Sequence, residues 1–338
     1  YCTSWTFYGS VGRATTGGFS FLTIYLGPTI MFLFAAVILK MIRVSKTLRL
    51  TSIADFIAAR YGKSQLLAGL VTVIAVVGII PYIALQLKAI SYSLKILFPD
   101  DAQALIPDAL ESLAFMPDST AVIAHIRAAV TIVFGTRHLD VTERHEGMVA
   151  AIAFESVVKL VAFMAVGLFV CFGLFASPAA LFDQAHAVEE LRRLMQFNQG
   201  QPFAYAQWLG LTLLAMLSVI FLPRQFQVMV VENVDENHLK RAVWAFPLYL
   251  LLINLFVLPI ALGGLLHFGP GRMDPETFVL SLPLSEGQSG LALLAFVGGL
   301  SAATGMVIVE AIAVSTMLCN DLVMPMLLRT RRLRARAI

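Results

Sequence analysis

The chain has 338 residues, 59% hydrophobic and 13% charged, with a mean hydropathy of +0.82. A charged share about half that of a soluble domain, together with several apolar runs of about eighteen residues or more, identifies a polytopic, all-α membrane bundle. The net charge of +3 says little by itself, and three isolated cysteines (Cys2, Cys171, Cys319) argue against a disulfide framework or a zinc site.

Residues 1–14 read as the second half of a membrane span, closed by Thr15-Thr16-Gly17-Gly18, so the sequence is expected to be a fragment. Residues 19–41 form the next span. The basic stretch 40–63, with Leu50, Ile53, Phe56, Ile57 and Tyr61 on one helical face, is expected to lie along the membrane surface. Residues 66–97 make a long span containing Pro81, and 98–120 an acidic loop. A short span at 121–134 and a long one at 147–175 follow. Residues 177–202 hold an amphipathic segment around Leu191, Leu194 and Met195. Two further spans, 242–268 and 291–328, flank a polar loop that ends at Gln288.

The apolar run 205–232 is interrupted by Pro223 followed at once by Arg224. In lipid, freed backbone groups and a buried guanidinium each cost several kcal/mol unless the break lines an enclosed cavity. Discontinuous helices of this kind mark the binding sites of transporters. An ordinary proline kink, with Arg224 reaching to the membrane surface, is the alternative.

Loop charge sets the expected orientation. Loops 40–63, 137–146, 233–241 and 329–338 carry fifteen Lys and Arg residues, whereas 98–120, 177–204 and 269–288 carry three. The two sets alternate from span to span, which implies seven and a half spans with the basic loops cytoplasmic. The Arg-rich tail 329–338 then reads as an anchor to anionic lipid rather than a nucleic-acid-binding segment.

Ionisable residues inside spans are functional candidates. Glu155 and Lys159 lie one turn apart on one helical face, in the order that pairs best. Glu310 sits deep in the last span and needs a partner from another helix, such as Lys159 or Lys88, or a proton. Lys88, His125 and Arg127 are also embedded. No zinc-protease helix, phosphate-binding loop or other enzyme signature is present, and the glycines at 298–305 read as sites of close helix packing.

Four segments, Trp5-Thr6-Phe7-Tyr8-Gly9, Ser52-Ile53-Ala54-Asp55-Phe56 with Arg60-Tyr61-Gly62, Leu222-Pro223-Arg224 and Asn320-Asp321-Leu322, resemble the sodium/solute symporter family. That family's core is a LeuT-type inverted repeat. More narrowly, the stretches at 2–14, 221–233 and 319–325 look like the transporter-like membrane module of CbrA-type bacterial sensor histidine kinases. The resemblance covers the whole chain. It implies one bundle in which 1–146 and 147–338 interleave, truncated at both ends and lacking the last two core helices, in a bacterial inner membrane with a C-terminal kinase beyond.

It also implies a small polar solute, an amino acid and in such kinases histidine, held between two helix breaks. The first break would supply Ser4, Trp5, Tyr8 and Gly9; the second, Phe221, Leu222, Arg224 and Gln225. Half-helix N-termini and Arg224 would receive a carboxylate, with Tyr8 and Phe221 as walls. Glu155, Lys159, Thr304 and Glu310 are the ion-coupling candidates, with H⁺ or Na⁺ as the coupling ion and no other cofactor. Two departures favour the proton. Tyr1 stands where family symporters carry an aspartate, and the stretch Ala302-Ala303-Thr304-Gly305-Met306 offers one hydroxyl where they carry a pair. Lys159 is placed to fill the vacated cation site. A transport-inactive membrane anchor with a signalling role is the competing expectation.

Overall fold

The computed structural model describes residues 1–97, 146–197 and 204–329. The short span at 121–134, with His125 and Arg127, the loops 98–120 and 137–145, and the tail 330–338 lie outside the described residues. Among those residues every regular element is helical, and six helical stretches are long and apolar enough to cross a membrane.

A π-helical turn at Trp5–Gly9 leads into α1 (Ser10–Gly17). Gly18, at φ 50°, takes a conformation open chiefly to glycine, and the chain reverses there. The reversal brings the Tyr1 hydroxyl to within 2.7 Å of the Ile24 carbonyl, to which it donates. α2 (Thr23–Leu33) packs most extensively against α9 (Ala204–Phe221). Gly27 permits this: a β-carbon there would run into the α9 backbone at Thr212 and Ala215.

The basic stretch forms two helices rather than one surface helix. α3 (Ala35–Leu48) extends the second span and stops at Arg49, which adopts a left-handed conformation. Ser52 then caps α4 (Ile53–Arg60) by accepting from the Asp55 amide, while the Thr51 hydroxyl donates to Asp55 at 2.8 Å. This mutual capping outweighs the amphipathic register read from the sequence. Ile53, Phe56 and Ile57 share one face of α4, packed on the bundle, whereas Leu50 precedes the helix and Tyr61, beyond its end, is exposed.

α5 (Gln65–Leu97) runs unbroken through Pro81. α6 (Glu146–Leu168) ends in a π turn at Phe169–Leu174, and α7 (Pro178–Ala187) and α8 (Glu189–Leu194) fill the amphipathic segment. The run 205–232 divides as expected. α9 stops at Phe221, Leu222 is extended (φ −69°, ψ 129°), and α10 (Pro223–Phe226) passes into a π turn at Gln227–Val231.

Two breaks were not anticipated: the expected span 19–41 is interrupted at Phe34 (φ −86°, ψ 42°), between α2 and α3, and a second lies further on. The span at 242–268 is two helices, α11 (Asn237–Asn254) and α12 (Val257–Phe268). Pro259 has no amide to offer the Leu255 carbonyl, and Phe256 turns against α6 where only a glycine, Gly167, leaves room for its ring. α13 (Phe278–Ser285) lies in the following loop. α14 (Ser289–Met317) then runs through the centre of the bundle to a π turn at Leu318–Val323 and α15 (Met324–Arg329).

Two buried clusters build the interior. One joins Phe7, Phe163, Val257 and Phe278; the other joins Ile42, Ile53, Val219, Phe226 and Met317. Members of both border the main cavity.

Candidate functional site

The main cavity, of about 920 Å³, is large enough for a small organic solute. Tyr1, Cys2 and Thr3 reach it from the chain start, Glu155 and Lys159 from α6, and Arg224 and Gln225 from α10. Gly305, Met306 and Val309 line it from α14, and Glu232, Asn233 and His238 lie where it meets the 233–241 loop. Its walls are otherwise mostly apolar, with Phe32, Phe246 and the Tyr249 ring among them and Ser156 a polar exception.

Two cations line it, and each is held. Lys159, buried, donates to the Cys2 carbonyl at 2.8 Å. Arg224, 9% exposed in its side chain, donates from Nη1 to Glu310 Oε2 at 3.2 Å, and Glu310 is fully buried. The guanidinium also stacks on Tyr82, 4.6 Å from the ring centroid. Tyr82 bonds Thr3 in turn at 3.0 Å, so the chain start, α5, α10 and α14 meet in one polar chain.

Ser4, Trp5, Tyr8 and Gly9 line a different and smaller cavity, of about 30 Å³, roughly enough for one water. Lys88, Tyr92 and Ser93 of α5 complete it, and the loop residues Asp274, Glu276 and Thr277 close it. Ser4 is tied down here, its amide donating to Gln86 Oε1 at 3.1 Å. Tyr8 lies against α14 where Gly299 leaves space for its hydroxyl.

The two expected breaks therefore approach each other, but their residues face two cavities. Arg224, Gln225, Glu155 and Lys159 share the large one, while the Ser4–Gly9 set faces the small one. Leu222 forms the break itself and lines neither. Phe221 does not wall the main cavity: it is 54% exposed. In a continuous helix it would share a face with Arg224 and Gln225, three and four residues on. The extended Leu222 between them destroys that phase. Thr304 is half-buried, and its hydroxyl donates to the Leu300 carbonyl of its own helix at 2.8 Å. Glu310 takes its partner from the broken span rather than from Lys159 or Lys88. Lys88 instead sits over the Tyr92 ring at 5.2 Å.

Sequence reasoning passed over Tyr82 and Gln86. Both are polar residues four apart in an apolar run, hence on one helix face, directly after Pro81. That face meets the chain start.

Over 95 residues the chain is 37% identical to a protein of Bacillus subtilis (strain 168) named as an uncharacterized symporter, YodF. The match covers 28% of this chain and 19% of the relative's length. No family model matches the chain. No solved structure matches it either. With its six apolar helical stretches, the chain is a multi-pass, transporter-like membrane protein.

Proposed function

We propose that the chain is the solute-handling part of a secondary transporter, carrying a small solute that bears a carboxylate, an amino acid by size. One observation carries this reading: a solute-sized cavity with mostly apolar walls, lined also by Arg224, Lys159 and Glu155 beside two broken helices. A mere anchor has no use for a cavity that exposes costly charges inside a bundle. The partial likeness to a protein named as a symporter points the same way.

The coupling ion in this reading is the proton. The Cys2 carbonyl is the kind of hard oxygen that a sodium ion seeks, but the Lys159 ammonium already occupies it. Thr304, the remaining hydroxyl expected for sodium, is spent within α14. The main cavity reaches the basic 233–241 loop, expected on the cytoplasmic side, and the other cavity, beside Asp274 and Glu276, is far smaller. The arrangement is that of a carrier open to the bacterial cytoplasm, its breaks being those of a LeuT-type inverted repeat. The motifs shared with sensor-kinase modules add that cavity occupancy would be read by an attached kinase.

The full chain reconstituted in vesicles tests this reading with a labelled amino-acid mixture. An imposed proton gradient should drive accumulation and a sodium gradient should not. Lys159→Ala should abolish accumulation. Equal silence under both gradients would leave the anchor reading in its place.

A further inference from the structure

The Arg224–Glu310 pair is only half made. A guanidinium and a carboxylate facing each other normally form two parallel hydrogen bonds. Here a single bond of 3.2 Å joins Nη1 to Oε2, and Nη2 reaches Tyr82 at the long distance of 3.4 Å. Arg224 Nε and Glu310 Oε1 are both buried with no hydrogen-bond partner among the described residues. Leaving a donor and an acceptor unpaired in a bundle interior is costly. Nε and Nη2 form one edge of the guanidinium, the edge that Glu310 does not use. Arg224 borders the main cavity and Glu310 does not, so an incoming anion meets the arginine first.

We infer that Arg224 is a two-carboxylate clamp: the Nε edge takes the solute carboxylate while Glu310 stays on Nη1, and Glu310 takes up one proton as the solute binds. This rests on the proposed transport reading and adds the step that couples solute to proton. Two carboxylates on one guanidinium leave a surplus negative charge in a poorly solvated place. One solvent proton removes that surplus: an O–H bond of a hydronium ion breaks, leaving water, as the O–H bond at the spare Glu310 Oε1 forms. Release of the solute reverses the step and returns the proton.

The charged and titratable groups on elements packed around Glu310 are few. α6 brings Glu155 and Lys159, α5 brings Tyr82, Lys88, Tyr92 and Lys95, the first π turn brings Tyr8, α10 brings Arg224, and the π turn after α14 brings Asp321. Among these Arg224 alone touches the Glu310 carboxylate. Lys159 is engaged at Cys2. Glu310 is therefore the carboxylate placed to answer a change at Arg224.

Acetate, the simplest carboxylate, serves as the probe on purified full-length protein in detergent. In weak buffer its binding should be accompanied by uptake of about one proton per acetate, and its affinity should fall roughly tenfold per pH unit. The useful range is about pH 6 to 8, where acetate is fully ionised. Infrared difference spectra should show a protonated carboxyl appearing with acetate and missing in Glu310→Gln. That variant should bind acetate with no proton uptake and a flat pH dependence. The paired variant Arg224→Met with Glu310→Met removes both charges without stranding either, and should bind no acetate.

Proton uptake that persists in Glu310→Gln, acetate binding that is pH-independent in the wild type, or no acetate binding at all would each overturn the clamp. The vesicle experiment is read separately. Solute accumulation without acetate-linked proton uptake leaves the transport reading standing and the clamp refuted. Linked uptake in a protein that accumulates nothing does the reverse.

Discussion

Arg224 and Glu310 make a consequential contact, because among the described residues Glu310 has no other charged partner and Arg224 has only Tyr82 besides, in an interior that solvates charge poorly. Arg224→Met alone strands a fully buried carboxylate and should cost about 3–5 kcal/mol, whereas removing both charges together should cost far less. Thermal unfolding of the two variants in one detergent provides the comparison. At the edge of the small cavity, Glu276 rests its stem on Gly12 while its tip stays exposed. Partial burial, helped by neighbouring Asp274, pushes its carboxyl above the usual glutamate value, against the opposing charge of Lys88. A raised carboxyl binds its proton more tightly folded than unfolded. Its contribution is therefore present below the ordinary glutamate range and lost as pH rises through the raised value. Glu276→Gln should flatten the stability–pH curve over that window, as read by unfolding at a series of pH values. A variant curve with the wild-type slope would mean that Glu276 does not close the small cavity in the way described.

Helix interruptions decide which side chains meet. Pro223→Ala restores an amide that an unbroken α9–α10 helix would use, and should draw the segment toward a straight course. Arg224 would then rotate away from Glu310. Cross-linking between cysteines introduced at positions 224 and 310 should be efficient while Pro223 is kept, and should fall sharply once Pro223→Ala is added. Ser52→Ala removes the α4 cap and should cost about 1 kcal/mol, seen as earlier local exchange of the α4 amides. These elements also divide what was legible in the sequence from what was not. The Pro223-Arg224 break, the Gly17-Gly18 reversal and the packing role of the 298–305 glycines follow from local chemistry: a missing amide, a missing β-carbon, a charge in an apolar run. The division of the stretch 40–63 and the kink at Phe256 depend on partners far along the chain, Gly167 for the kink, which no local pattern encodes. The same limit governs the site. Arg224, Glu155, Lys159 and Glu310 stood out as charges in apolar runs, but that Glu310 belongs to Arg224, and that Ser4 to Gly9 face a second cavity, depends on how five helices come together.

At the scale of the whole bundle, the two cavities are separated by the contacts Thr3–Tyr82–Arg224–Glu310 and Ser4–Gln86. Their unequal volumes imply unequal access. A cysteine introduced at Asn233 or His238 should react quickly with a water-soluble thiol reagent, whereas one at Ser93, beneath Asp274 and Glu276, should react slowly. Reversal of those rates would mean that the resting bundle opens the other way. The four π turns among the described residues, Trp5–Gly9, Phe169–Leu174, Gln227–Val231 and Leu318–Val323, bear on the chain's tolerance of length change. A π turn is an α-helix carrying one residue more than its winding requires. Deleting a residue within such a turn lets it close to ordinary α while the helix on either side keeps its angular phase. Deleting a residue from α9 instead rotates everything beyond it by about 100° and takes Arg224 with it. The described helices thus contain four places where the chain holds slack, and a one-residue deletion at Val228 should leave a bundle that folds where the same deletion at Leu213 does not.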